Sequence, residues 1–131
     1  MSTRSSTFLF VLSLSATTAF AQQDWRPCFP TVEPGARVGA RMAFDAARSE
    51  LVLFGGQAAP TPPSADTWVW NGTAWTQRFP ANSPSGRTLH EMCYDSTRQR
   101  VVLYGGMGAG GLVYGDTWEW DGTNWTQATP L

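Results

Sequence analysis

Few side chains in this chain could do chemistry. His90 is the one imidazole in 131 residues, and Cys28 and Cys93 are the only thiols. A histidine acts as a general base when a carboxylate or nucleophile stands beside it, and no carboxylate sits at a fixed spacing from His90. It reads instead as a satisfied histidine on the inner strand of a sheet. One histidine also cannot complete a copper or zinc site of the usual His-rich kind within the chain. The cysteines are expected to be free or intermolecular thiols rather than bonded to each other, because Cys28 falls in a segment assigned below to an outer strand and Cys93 in an inner strand two units on, beyond disulfide range. The double glycines Gly55-Gly56 and Gly105-Gly106 could cradle a phosphate, but no helix with a GK[ST] signature follows either of them. No catalytic, metal-ligating or cofactor-binding residue is identified, and the reading leans away from an enzyme. Nine basic against ten acidic side chains give a net charge of −1, so nucleic acid and anionic lipid are not expected partners.

The elements that position these residues repeat. Residues 31–80 align with 81–130 without a gap, and about 20 positions are identical. Arg37 answers Arg87, Met42 answers Met92, Asp45 answers Asp95, and Val52-Leu53-Phe54-Gly55-Gly56 answers Val102-Leu103-Tyr104-Gly105-Gly106. Asp66-Thr67-Trp68 and Trp70 answer Asp116-Thr117-Trp118 and Trp120, and Trp75 answers Trp125. Each copy carries four strand signals. The first is expected over Arg87 to Tyr94, with His90, Met92 and Tyr94 on one face by the period of two, as Ala40, Met42 and Phe44 are in the first copy. An Asp-x-x-Arg turn follows, then a continuous apolar run ending in Gly-Gly, as suits a strand covered on both faces. The third and fourth strands form a hairpin through Asn71-Gly72 or Asp121-Gly122. A two-residue loop would pair Trp68 with Trp75 and a four-residue loop Trp70 with Trp75. Either way the three indoles share a face, where packing between sheets accounts for their placement better than sugar stacking. At the same strand position, Arg41 and Glu91 carry opposite charges and are expected to face a shared surface between the units.

Residues 57–65 and 107–115 differ most between the copies, Ala/Pro-rich in one and Gly-rich in the other. Segments that vary within a repeat form binding rims. Gln57, Pro60, Pro62, Met107, Leu112 and Tyr114 are therefore the candidate binding-loop residues. Ahead of the repeat, Arg4, the apolar run from Phe8 to Leu14 and Ala19-Phe20-Ala21 have the order of a secretory signal, with cleavage expected after Ala21 and a secreted or periplasmic destination. No membrane insertion is expected once it is removed. Trp25 and Phe29-Pro30 stand fifty positions before Trp75 and Phe79-Pro80, so 22–30 reads as an orphan outer strand.

Pro84, Gly86-Arg87, His90, Tyr94-Asp95, the Leu103-Tyr104-Gly105-Gly106 run, Asp116-Thr117-Trp118, Trp120 and Trp125 together resemble the kelch motif; the first copy departs from it by Ala40 at the histidine position. The resemblance implies an all-β chain of β-propeller blades. A signal peptide (1–21) and an orphan strand of a closing blade (22–30) would precede two four-stranded blades, 31–80 and 81–131. It further implies an incomplete ring, needing more blades or self-assembly. Missing C-terminal blades suit it better, since in an assembled ring the orphan strand would compete with the strand at Trp125. The function implied is an exported binding or structural module that contacts a protein or glycan through its rim loops. The alternative is part of a galactose-oxidase-like or sugar-isomerising propeller enzyme whose catalytic residues lie outside this chain.

Overall fold

The computed structural model describes residues 31–129. The expected signal peptide, the expected orphan strand with Cys28, and the last two residues lie outside the described residues. The described chain is all-β. Strands β1 (Arg41–Asp45), β2 (Glu50–Phe54), β3 (Thr67–Trp70) and β4 (Trp75–Arg78) form one antiparallel sheet in chain order. Strands β5 (Glu91–Asp95), β6 (Arg100–Met107), β7 (Val113–Trp120) and β8 (Trp125–Ala128) form a second of the same order. Neither sheet closes on itself, and the only helical turn among the described residues is Ala109–Gly111 between β6 and β7.

Local chemistry sets the strand ends. The Asp45 carboxylate accepts the backbone N–H groups of Ala47 and Arg48, and the Arg48 guanidinium returns to it at 2.8 Å; Asp95, Thr97 and Arg98 repeat the arrangement. The Asn71 side chain accepts from Thr73 and Ala74, and Asp121 from Thr123 and Asn124. These turns give four-residue loops, so Trp70 pairs with Trp75 and Trp120 with Trp125. The first strand of the second unit is shorter than its alternation predicts. Leu89 has a φ of 56°, and this left-handed residue cuts Thr88 off from β5, leaving only an isolated bridge from Thr88 to Met107. Gly39 at the equivalent place has a φ of 70°.

The sheets stack face to face with one core between them. The first sheet contributes Val52, Phe54, Val69 and Ala43, and the second contributes Val101, Leu103, Trp120 and Trp125, with Met92 and Tyr94 packed against the cluster. Phe54 meets the Trp125 ring edge-on at 5.4 Å, and Trp125 Nε1 donates to Thr67 Oγ1 at 3.0 Å. Backbone contacts join the sheets too, since Gly56 N–H donates to Arg87 O and Leu89 N–H to Gly39 O, each at 2.9 Å. A Cβ on Gly55 would lie 2.4 Å from Arg87 O, so a side chain there would push the second sheet away.

The other two faces are open among the described residues. Met42, Phe44, Leu51, Trp70 and Trp75 lie on the far face of the first sheet, and Cys93, Val102, Tyr104 and Thr117 on that of the second. On these open faces Leu53 of the first unit's second strand is still 7% exposed, shielded by its strand neighbours, whereas Tyr104 in the second unit is 58% exposed.

Candidate functional site

The segments that differ between the copies are cinched at their bases by matching ion pairs. In the second unit Arg87 is fully buried. Its Nη1 donates to Asp116 Oδ1 at 2.5 Å and to Gly105 O at 2.9 Å, its Nη2 to Asp116 Oδ2 at 3.0 Å, and its Nε to Ser85 O at 2.9 Å. The guanidinium also lies over the Tyr114 ring, 4.1 Å from its centroid. In the first unit Arg37 Nη1 reaches Asp66 Oδ1 at 2.6 Å and Gly55 O at 3.0 Å. Each aspartate takes a further bond from the indole two residues on, Trp68 or Trp118. The hydrogen bond from Arg87 holds the Asp116 carboxyl below the usual carboxylate range, and burial opposes this less strongly. At Asp66 burial pulls upward, but the bonds from Arg37, Ser64 and Trp68 together outweigh it and the carboxyl is lowered as well. Both aspartates are therefore anionic at neutral pH and fixed in place.

Between these cinched loops runs an open cleft of about 510 Å³. One wall is Gln57 with Pro60, Thr61, Pro62 and Pro63, and the other is Met107 with the Gly108–Gly111 turn; Thr88 and Leu89 form the floor. Paired backbone bonds anchor each wall, Val38 with Gln57 at 2.9 Å and Thr88 with Met107 at 2.8 Å. Within the walls, Gln57 Nε2 donates to Thr61 O at 2.7 Å and Gly108 N–H to Leu112 O at 2.7 Å. No charged or aromatic side chain lines the cleft. It offers apolar surface, amides and hydroxyls, and no acid, base or nucleophile.

Four of the six loop residues singled out from the sequence, Gln57, Pro60, Pro62 and Met107, meet in this cleft. Leu112 is exposed outside it, and Tyr114 lies beneath Arg87 against Gly108. Thr61, Thr88 and Leu89 were not singled out, the last two because they were assigned to a strand. The arginine–aspartate pairs also went unread, although a signal existed: in both copies the arginine precedes the aspartate by 29 residues. The indoles of the repeat divide between core and open face. Trp120 and Trp125 are fully buried between the sheets, while Trp70 and Trp75, 5.6 Å apart, lie on the open face of the first.

His90 departs from its reading. It is fully buried against Phe54, and among the described residues neither Nδ1 nor Nε2 has a hydrogen-bond partner, where a satisfied histidine is expected from the sequence. It precedes β5, and the charges that act on its ring are the cations Arg87 and Arg41. Burial first, and those two arginines after it, push its pKa down to about 4, so the ring is neutral at physiological pH. Cys93 is a free, exposed thiol on the open face of the second sheet. Among the described residues no three His, Cys, Asp or Glu side chains come together in a way that could hold a metal ion.

No protein-family model matches the chain, and no curated protein matches it significantly.

Proposed function

We propose that the chain is an exported kelch-type propeller module that binds an uncharged, extended segment of a partner protein in the cleft between its two unequal loops. One observation carries the reading. The cleft walls are the two segments that differ most between otherwise matching copies, and each is held on the same arginine–aspartate frame. A scaffold repeated in this way with its variation confined to one rim is how repeat proteins build recognition surfaces. The lining suits a peptide, since prolines, Met107 and Leu89 offer apolar contact while Gln57, Thr61 and Thr88 supply hydrogen-bonding groups. A glycan is the other ligand class the repeat suggests, but a sugar face would find no aromatic ring in this cleft to stack on. The galactose-oxidase-like alternative would need catalytic residues from elsewhere.

Screening the purified chain against a peptide library and a glycan array tests this. Saturable binding of a peptide that Met107→Glu and Pro62→Asp both abolish, with unchanged thermal midpoints, is the expected result. Glycan binding indifferent to both substitutions would move the site to the open indoles, and turnover of a sugar substrate would favour the enzyme.

A further inference from the structure

The two open faces are the two halves of the interface already buried between the sheets. Most residues of the buried cluster have a like counterpart, fifty positions away, on an open face, with Glu119 in the place of Val69 as the exception. Tyr104 stands where buried Phe54 does, and Thr117 where Thr67 accepts the Trp125 indole bond. On the other side Trp75 stands where Trp125 does, Phe44 where Tyr94 does and Met42 where Met92 does. Charge repeats too. Arg41 Nη2 lies 3.6 Å from Glu91 Oε1 across the interface, and the Glu91 carboxylate remains 76% exposed on the side where a further arginine would arrive.

We infer that the chain docks on a second copy of itself head to tail, the open face of its second sheet (Tyr104, Thr117, Glu91) seating on the open face of the other copy's first sheet (Trp75, Phe44, Met42), beside the end of its first strand that carries Arg41. Thr117 Oγ1 then accepts the second copy's Trp75 Nε1, and Glu91 meets the second copy's Arg41, so that arginine and glutamate alternate from unit to unit. The glycines fit this docking. A Cβ on Gly105 would meet only Tyr114 O, at 3.4 Å, so the site that Arg87 O fills at Gly55 is vacant at Gly105 and admits the backbone of a second copy. The interface is heterologous, joining two different patches. It closes into a ring where its rotation allows and otherwise runs on as a filament. The inference rests on the equivalence of the two units and is independent of ligand binding in the cleft.

The experiment uses the full chain and two exposed positions, one on each open face: Phe44, 56% exposed, and Tyr104, 58% exposed. Sedimentation over a range of concentrations should show the wild type associating beyond a monomer. Phe44→Glu spoils one face and Tyr104→Lys the other, so each variant alone should sediment as a folded monomer. An equimolar mixture should form a one-to-one heterodimer, because Phe44→Glu keeps a good second-sheet face and Tyr104→Lys a good first-sheet face. A wild type that stays monomeric overturns the inference. So does a mixture that fails to pair, and so does a single variant that still dimerises, which would indicate a symmetric contact or unspecific association. Peptide binding in the cleft, read in the same samples, should be unchanged in both variants and reports on the functional proposal separately.

Discussion

Residues of the same type at matched positions have different surroundings in the two units, which separates what the repeat dictates from what stacking adds. Trp125 and Trp75 occupy equivalent places on equivalent hairpins. Trp125 is fully buried and bonded to Thr67, whereas Trp75 leans on Trp70 at the open face. Gly122 lies under the Arg48 side chain of the first unit, where a Cβ would come within 2.1 Å of Nε, and Gly72 has nothing within 4 Å. Hairpin geometry is the same in both, so it belongs to the unit. Burial is not, so it belongs to the contact between units, as in repeat proteins whose stability divides into intrinsic and nearest-neighbour terms.

The largest way to break the comparison is to truncate the two indoles. Trp125→Ala should cost about 3–5 kcal/mol, the usual range for emptying a buried aromatic site. Trp75→Ala should cost less, about 1–2 kcal/mol, since Trp75 is only partly buried where Trp125 is fully so. Urea unfolding of dilute protein measures both. Equal losses would mean that the open face is covered in solution, and a Trp75→Ala loss that grows with concentration would place a second copy there.

Next in size is the buried imidazole, which the first unit replaces by Ala40. The folded pKa of His90 lies near 4 against 6.5 in the unfolded chain, so as pH falls the unfolded chain takes up its proton first. Stability is therefore whole above about pH 6.5, drains between there and about pH 4 by about 3 kcal/mol, and then levels off. His90→Ala should be less stable at neutral pH because it leaves a cavity, yet should lose that acid slope. A slope that survives the substitution would mean another group titrates in this window. Asp66 and Asp116 cannot, because their lowered values place their loss of stability below about pH 4.

The paired glycines sharpen the comparison at smaller scale. Gly55 and Gly105 have φ values of 66° and 69°, so alanine costs about 1 kcal/mol of backbone strain at either. At Gly55 the new methyl also meets Arg87 O, and forcing the sheets apart should add about 1–3 kcal/mol. Thermal unfolding of the two alanine variants should therefore separate them clearly, and equal midpoints would show that the sheets yield without cost.

Much of this arrangement was legible beforehand, for physical reasons. The fifty-residue period and the parity of the indoles depend only on spacing, and both appear as expected in the all-β sheets. The sequence alone does not decide the hairpin loop length, because Asn-Gly serves two turn geometries. The side-chain bonds from Asn71 to Thr73 and Ala74 decide for the longer loop. The strand start at Glu91 was missed because a left-handed leucine has no signal of its own. The glycine fifty residues before it was that signal. The cleft was legible as two variable loops, but its floor was not, since Thr88 and Leu89 reach it only through that same backbone reversal.

The smallest effect is the one that links the two units by charge. Arg41 and Glu91 are 3.6 Å apart, with Arg41 38% and Glu91 76% exposed, so water and salt screen most of their attraction. A double-mutant cycle with Arg41→Ala and Glu91→Ala, read by urea unfolding of dilute protein, should give a coupling of about 0–1 kcal/mol that shrinks as salt is added. A coupling well above that would mean the pair is drier than this geometry, and that the stack is tighter near Arg41 than at the open faces. Within the expected range the pair contributes little to holding one chain together. Its value would then lie in register, since a like-charged pair at the same place would oppose any stacking that put two arginines or two glutamates side by side.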